Sequence, residues 1–203
     1  LNLDISQNFS GCLLHLQNIE NEKSLSAQNK ITIEKSQILI ENNTNHFIYL
    51  KDALVSLSMK DISFTISKNF LHSLIYANNG GEKIYGGFLN FIKTDLVSFK
   101  KIPKNYFLLS DIENPLLNFI NSFDYISINQ SSIKAELQHQ KGFLFAEGIK
   151  SIILSSSKFY GNRFFNLNST FILIHNSFAN QPIIINITDC FISFNRVVFG
   201  GLL

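Results

Sequence analysis

The sequence lacks several residue types that other classes of protein rely on. Tryptophan is absent, methionine occurs once and proline three times in 203 residues, and only 16% of the residues are charged. A soluble domain usually has about a quarter of its residues charged. Scarce proline suits long parallel sheets, because proline in a central strand removes a hydrogen-bond donor. Scarce alanine and methionine disfavour a helical domain, since both residues favour helices.

Basic residues are also few and dispersed. The formal net charge is +2, the lysines are scattered, and the only arginines are Arg163 and Arg196. A nucleic-acid-binding domain normally carries a clustered basic surface. The sequence therefore predicts no nucleic-acid partner.

Long apolar runs and a recognisable leader are missing too. No run approaches the roughly 18 apolar residues that a membrane helix needs. The chain begins at Leu1 without the basic and apolar segments of a signal peptide. We therefore expect a fragment of, or a piece processed from, a longer chain.

The two cysteines, Cys12 and Cys190, lie near opposite ends of the sequence. In a stack of repeated units such ends are far apart, so a disulfide between them is not expected. Two thiols in the core, or a bond to another chain, both remain open, and neither determines the redox compartment.

The abundant residues indicate strands and turns. Phenylalanine occurs 20 times, and isoleucine, asparagine and serine are also frequent. Isoleucine and phenylalanine favour strands, whereas asparagine and serine favour turns. The composition predicts an all-β fold.

A unit of two alternating segments joined by a polar corner recurs along the chain. In one copy, Ile31-Thr32-Ile33 and Ile38-Leu39-Ile40 flank a corner at 34–37. Alternation of inward and outward residues is the signal of a strand. The second segments begin near positions 38, 62, 96, 126, 159 and 192. Repeats at such spacing are typical of solenoids, propellers and arrays, and the irregular intervals favour a solenoid.

Asparagine follows the second segment in five of these six copies. Asparagine tolerates the left-handed backbone conformation and hydrogen-bonds its neighbours in turns. Stacked on successive strands about 4.8 Å apart, such residues would form a ladder. The predicted ladder residues are Asn42, Asn69, Asn129, Asn162 and Asn195.

Short motifs resemble those of a known superfamily. Phe159-Tyr160-Gly161-Asn162 and Phe165-Asn166-Leu167-Asn168 match an FxxN pattern, while Gly86-Gly87-Phe88 and Gly200-Gly201-Leu202 match a GG-hydrophobic pattern. Together they are similar to repeats of the pectin-lyase-like β-helix superfamily, in particular polymorphic outer membrane protein repeats and β-helix surface proteins of ciliate-type protists. The resemblance implies one right-handed parallel β-helix domain over residues 1–203, a solenoid of about six to eight irregular coils.

The carboxylates offer two interpretations. Asp61, Asp95, Asp124 and Asp189 each occur in a polar corner before a second segment. Stacked, they could bind calcium or act as an acid pair. Aspartates in such corners more often satisfy turn N–H groups in solvent. No Asp-Asp pair and no Gly-His-Gly is present, so we predict no catalytic residue.

The histidines show no metal-binding spacing. They are His15, His46, His72, His139 and His175. No HxH or HExxH pattern and no phosphate-binding loop occurs, so the sequence predicts no metal site and no cofactor.

Five sequons could accept N-linked glycans at the surface. Their asparagines are Asn8, Asn42, Asn129, Asn168 and Asn186. Asn42, Asn129 and Asn168 fall at predicted strand ends, where a glycan could project. Asn186 lies within a predicted strand, so whether it can carry a glycan depends on which face of that strand it occupies.

These observations predict a non-enzymatic structural or adhesive protein that is extracellular or on the cell surface. Open solenoid ends expose strand edges that must be capped or joined, so we expect self-association, including end-to-end filaments, or a larger assembly. The alternative is a carbohydrate-active enzyme or polysaccharide-binding module with aromatic platforms. The candidate platforms are Tyr76, Tyr85, Tyr106, Tyr125 and Tyr160.

Overall fold

We describe the fold from a computed structural model. The structure describes residues 2–5, 12–17, 29–40, 45–66, 72–79, 87–98, 115–135, 142–160, 163–167, 171–175, 182–193 and 196–199. These residues form strands and connecting turns without any helix, which confirms the all-β prediction. A search of these same residues finds no helix with the length and apolar character to cross a membrane.

The strands are mostly four or five residues long, and three of them reach eleven or twelve. In chain order they are β1 (Asn2–Ile5), β2 (Leu14–Gln17), β3 (Asn29–Ile40), β4 (Ile48–Lys51), β5 (Val55–Ile66), β6 (Ile75–Asn78), β7 (Phe88–Ser98), β8 (Leu117–Ile120), β9 (Tyr125–Asn129), β10 (Ser132–Ala135), β11 (Leu144–Glu147), β12 (Ser151–Ser155), β13 (Lys158–Tyr160), β14 (Arg163–Leu167), β15 (Ile172–His175), β16 (Ile184–Thr188), β17 (Phe191–Ser193) and β18 (Arg196–Phe199).

The chain passes back and forth between two main sheets, and all the pairings among the described strands are parallel. The first sheet contains β1, β3, β5, β7, β9, β10, β12, β13, β16 and β17; the second contains β2, β4, β6, β8, β11 and β15; β14 and β18 form a third pair. Each pass adds parallel strands in register to both main sheets, and we call one such pass a layer. Parallel strands in stacked sheets are compatible with the predicted solenoid.

The core lies between the sheets and is filled by the inward residues of each strand. In β5 every second residue up to the corner is buried, including Val55, Leu57 and Met59. Leu57 pairs in register with Leu89 of β7, so one layer stacks a similar side chain on the next. The abundant phenylalanines account for much of this core, because five of its largest fully buried side chains are phenylalanines.

The corners of the first sheet are set by single residues with left-handed backbone. They are Lys35, Asp61, Lys93, Gln130, Ser156 and Asp189, with φ between 48° and 53°. The strand register places these six residues above one another. Each is polar and lacks β-branching, as this conformation requires. Five of the six predicted corners contain the observed residue.

The predicted fourth copy differs from the structure. The sequence pattern places a second segment near Ile126, but Ile126 and Ile128 lie in β9, before the corner at Gln130. The segment after the corner is β10, whose inward residue is Ile133. The pattern missed this corner because the segment after it, Ser132–Ala135, contains one large apolar residue, Ile133, instead of two in alternation.

Buried hydroxyl groups follow the corners and join the layers. We call Thr94, Ser131 and Ser157 the hydroxyl ladder; Ser36 occupies the same column, but Ile62 lies between it and Thr94. The Ser157 hydroxyl donates to the carbonyl of Ser155 at 2.8 Å and accepts the backbone N–H of Ser131 at 3.1 Å. The Ser131 hydroxyl in turn accepts the N–H of Thr94 at 3.1 Å. These bonds satisfy backbone groups that the corner removes from the strand ladder.

An asparagine bridge performs the same task at a second corner. The side chain of Asn79 accepts the N–H of Ala53 at 3.1 Å and donates to the carbonyl of Asn121 at 3.0 Å. Asn79 therefore bonds the layer before it and the layer after it. A single asparagine side chain, that of Asn79, thus links three layers at this corner, and Asn121 contributes its backbone carbonyl.

Candidate functional site

The last described layer exposes side chains that face inward in earlier layers. Strands β16 and β17 each pair on one side, with β12 and β13, and neither has a second described partner. We call this pair of strands the β16–β17 edge. Ile185, Ile187 and Ile192 are 47%, 39% and 45% exposed, whereas their register partners Ile152, Leu154 and Phe159 are 1%, 1% and 0% exposed. The edge therefore presents apolar side chains together with strand groups open to pairing.

The second sheet ends in the same way on this side. Strand β15 pairs with β11 and with no other described strand, and its Leu173 is exposed. Hence the described residues leave both main sheets open at the layer that contains β15, β16 and β17.

The corner aspartates, for which stacking into an acid pair was one of the two interpretations, do not converge. Asp61 and Asp189 occupy the same column of corner residues, but three layers lie between them. At about 4.8 Å per strand this places their backbones roughly 19 Å apart. Asp95 pairs in register with Ser63 and Ser132, and Asp124 lies at another corner, where its carboxylate bonds the Lys150 ammonium at 2.8 Å. Asp61, Asp124 and Asp189, whose side chains the structure describes, thus form no acid pair.

Two predicted glycosylation sites lie within the described residues, and their environments differ. Asn186 pairs in register with Ile153, which is exposed between the buried Ile152 and Leu154, so Asn186 is on the outer face of the sheet. Asn129 is half-buried at the end of β9. Asn8, Asn42 and Asn168 lie outside the described residues. Glycan occupancy stays a prediction at all five.

Of the predicted asparagine ladder, only Asn129 falls within the described residues. It pairs in register with Ile92 and Ser155, so it stacks on no other asparagine of that ladder there. Asn129 lies at the end of β9, before the corner at Gln130, whereas the ladder was predicted after the segment that follows a corner. Asn42, Asn69, Asn162 and Asn195 lie outside the described residues.

Three histidines that are isolated in the sequence meet on the outer face of the second sheet. His15, Tyr49 and Tyr76 occupy one register column. The rings of Tyr49 and Tyr76 stack at 5.4 Å between centroids with 8° between planes, and His46 stacks on Tyr76 at 4.6 Å. His72 contacts His46 edge-on at 5.2 Å. Only strand register brings them together, so their spacing in the sequence carried no signal.

This histidine–tyrosine cluster is not arranged as a metal site. The backbone N–H of Ser73 donates to Nδ1 of His46 at 3.2 Å. A histidine that binds a metal through one ring nitrogen usually donates a hydrogen bond from the other ring nitrogen. In His46, Nδ1 accepts a hydrogen bond instead of donating one. No group of three histidine, cysteine, aspartate or glutamate side chains in the described ranges could hold a metal ion.

The cluster also leaves little room for a sugar platform on Tyr76, because Tyr49 and His46 already stack on its ring. Tyr125 contacts Phe88 at a ring distance of 6.1 Å and is itself exposed. Tyr85 and Tyr106 lie outside the described residues.

The environment of His46 gives a pH prediction. Burial, together with the neighbouring His72, lowers the pKa of His46 from 6.5 to about 4. The unfolded chain then binds more protons than the folded chain between these values, so stability falls as pH decreases from 6.5 towards 4. Because the ring is partly exposed, solvent screening reduces the effect, and we expect a loss of about 1–2 kcal/mol.

Urea unfolding between pH 7 and 5 measures this loss, and His46→Gln should flatten the pH dependence. An unchanged slope in His46→Gln would contradict the prediction.

A shallow depression of about 600 Å³ lies beside the corners of the first sheet. The described residues that line it are Gln130, Ser131, Ser132, Ser156, Lys158, Tyr160 and Phe191. None of these side chains is acidic, so the lining offers no acid pair for glycoside hydrolysis.

Both cysteines are free and only partly buried. Cys190 takes the position after a corner that serines occupy in other layers, and its thiol donates to the carbonyl of Thr188 at 3.3 Å. Burial raises the pKa of the Cys12 thiol.

Comparisons of the chain with family models, with curated proteins and with solved structures gave no match. The resemblance to pectin-lyase-like repeats therefore depends on the short motifs and on the parallel, stacked strands alone.

Proposed function

We propose that this chain is a non-enzymatic structural or adhesive protein of the cell surface or extracellular space, and that it works by extending its stack of layers. In this proposal the parallel layers are coils of a right-handed β-helix. The β16–β17 edge accepts a parallel strand from a second copy of the chain. The observation that carries the proposal is the exposure of Ile185, Ile187 and Ile192, whose counterparts in earlier layers are buried.

The chemistry of the edge suits strand addition. Its inward residues continue the apolar columns of the core, so an added strand with the same alternation would bury them. Register is well specified where one face is buried, because a shift of one residue would turn apolar side chains outward. Joining one end of a stack to the opposite end of a copy is a head-to-tail contact, which grows as an open filament unless it closes into a ring.

Apolar burial at the β16–β17 edge supplies only part of the free energy that association requires. Burying one side chain of this kind fully contributes about 1.5–3 kcal/mol, so the three half-exposed isoleucines contribute roughly 2–4 kcal/mol. Association costs about 4–15 kcal/mol. Strand hydrogen bonds along β15, β16 and β17 and the other exposed apolar residues must therefore supply the rest.

The test is the concentration dependence of the molecular mass, measured by sedimentation velocity. We expect the mass of the native chain to rise with concentration without reaching a fixed size. Ile187→Lys places a charge in the apolar column, which costs free energy when another layer covers it. We expect this change to weaken association at least about tenfold, which corresponds to 1.4 kcal/mol.

The matched control is Ser193→Lys, which adds the same charge to β17, where Ser193 pairs in register with Tyr160 of the outer face. This variant should associate like the native chain. A native chain that stays monomeric at every concentration, or equal weakening by the two variants, would refute the proposal.

A polysaccharide-binding module is the second candidate, and the depression beside the corners favours it. Lys158, Tyr160 and Phe191 there combine a charge, a hydroxyl group and an exposed ring. Retardation on a polysaccharide affinity gel that disappears in Lys158→Ala would support this candidate over the first.

A further inference from the structure

An apolar strip crosses the outer face of the first sheet, where polar residues would be expected. It consists of Phe88, Tyr125, Ile153 and Ile184, which are between 37% and 63% exposed. Phe88 pairs in register with Tyr125, and their rings lie 6.1 Å apart. We call these four residues the outer apolar strip. Contiguous apolar surface of this kind usually marks a site that something covers.

Neighbouring strands connect the four residues. Tyr125 and Ile184 both pair in register with Ser151 of β12, one from each side. Ile153 lies two residues beyond Ser151 on the same face, diagonal to both, within reach of side-chain contact. The strip therefore runs across four strands, from β7 to β16.

A sequon adjoins this strip. Asn186 pairs in register with Ile153 and lies two residues after Ile184 on the outer face. Asn186 and Thr188 of the sequon Asn186-Ile187-Thr188 are both exposed. A group attached to the Asn186 amide would therefore project from the face of the sheet directly beside two apolar side chains of the strip.

The sequon at Asn129 offers an internal comparison. Its hydroxyl residue, Ser131, is 3% exposed and belongs to the hydroxyl ladder, where it donates to the carbonyl of Asn129 at 2.9 Å. Asn129 itself is half-buried beside the corner, on the same outer face as Tyr125 and diagonal to Ile153. A glycan at this position would lie near one residue of the strip, Ile153, and not beside Ile184.

We propose that Asn186 carries an N-linked glycan whose first sugars lie over Ile153 and Ile184 and shield the outer apolar strip from water. One face of a pyranose ring presents C–H groups, which suits contact with apolar side chains, while the hydroxyl groups face solvent. The proposal rests on the secreted location proposed above. It is compatible with strand addition, because the glycan projects from the face of β16 whereas a new strand pairs in the plane of the sheet.

The attachment requires a lipid-pyrophosphate-linked oligosaccharide as co-substrate. The Nδ2 atom of Asn186 bonds C1 of the first sugar, and the bond between C1 and the pyrophosphate oxygen breaks. The lipid pyrophosphate leaves with that electron pair, and the amide gives up one proton to a base of the transferase.

The first experiment maps glycans by peptide mass in protein purified from the cells that make it. We expect the peptide that contains Asn186 to carry a glycan. Occupied sequons elsewhere with an empty Asn186 would overturn this proposal alone. Five empty sequons would overturn it together with the secreted location, so the two failures are distinguishable.

The second experiment tests the shielding in protein secreted from cultured eukaryotic cells. Asn186→Gln and Thr188→Val each remove the glycan, and we expect both to raise the fluorescence of a dye that binds apolar surface. We also expect Tm to fall by about 2–4 °C, the shift that a loss of 1 kcal/mol produces in a chain of this size. Asn129→Gln is the comparison variant and should change both quantities less than Asn186→Gln, because Asn129 lies near Ile153 alone.

Exchange of the strip residues completes the test. Combining Asn186→Gln with Ile153→Thr and Ile184→Thr should return the dye fluorescence to the level of the glycosylated protein. Equal dye binding with and without the Asn186 glycan would show that the glycan does not cover the strip, and would overturn the proposal.

Discussion

Replacing Gly87 by alanine should prevent the chain from reaching its stable fold. A Cβ atom at this position would lie 2.1 Å from the carbonyl oxygen of Ser122 and 3.1 Å from the Cα atom of Phe123. Both are backbone atoms of the neighbouring layer, so neither moves without displacing a strand. The carbonyl of Gly87 also accepts the N–H of Asp124 at 2.9 Å, which ties the same two segments together.

We expect Gly87→Ala to lower the free energy of unfolding by at least about 3 kcal/mol, at the upper end of single-site effects. Guanidinium unfolding followed by circular dichroism measures the change, and loss of soluble protein would be the extreme form of the same result. Gly148→Ala is the matched control. Gly148 has a φ of 70°, so alanine there meets backbone strain of only about 1 kcal/mol. Equal stability of the two variants would contradict the prediction.

Phe159→Ala should give the second large effect, by opening a cavity between the sheets. Phe159 is fully buried, and its ring packs edge-on against Phe143 at 5.9 Å and Phe171 at 5.8 Å. Phe143 and Phe171 directly precede β11 and β15 of the second sheet and stack on each other, so Phe159 joins the two sheets at this point. Truncating a buried phenylalanine costs about 3–5 kcal/mol, from lost burial and from the cavity that remains.

Urea unfolding measures this loss, and Phe191→Ala is its matched control. Phe191 follows the same kind of corner one layer later, but its side chain faces outward and is 54% exposed. We expect its truncation to change stability by less than about 1 kcal/mol. A cost at Phe159 no larger than that at Phe191 would show that this part of the core is not packed as described.

The sequence predicted more of the fold than of the candidate functional site. Alternation in segments such as Ile31-Thr32-Ile33 and Ile38-Leu39-Ile40 identified strands, since strand side chains alternate with a period of two. Short polar stretches between such segments located five corners. Gly87 belongs to a GG-hydrophobic motif that the sequence shows, but the backbone atoms that a Cβ atom there would meet are known only from the structure.

The sequence pattern could not predict the histidine–tyrosine cluster or the side-chain hydrogen bonds between layers. His15, Tyr49 and Tyr76 belong to three different strands, and only the register of those strands makes them neighbours. Strand register likewise separates the corner aspartates, because they occupy different columns or distant layers. The hydroxyl ladder could not be predicted, because polar residues such as Ser131 and Ser157 are expected at the surface. In the structure both are buried, and their hydroxyl groups form hydrogen bonds with backbone groups.

The sequence by itself determined that this chain forms strands, where most strands of the first sheet bend, and that apolar residues alternate along those strands. These properties depend on alternation and on single residues that accept a left-handed backbone, so they are local. Only the tertiary structure decided which residues share a column, that Ile185 and Ile187 are exposed while Ile152 and Leu154 are buried, and that Asn186 faces outward beside apolar neighbours. These depend on register between segments about 30 residues apart, which is fixed by packing against the neighbouring layer and by hydrogen bonds that no local pattern encodes.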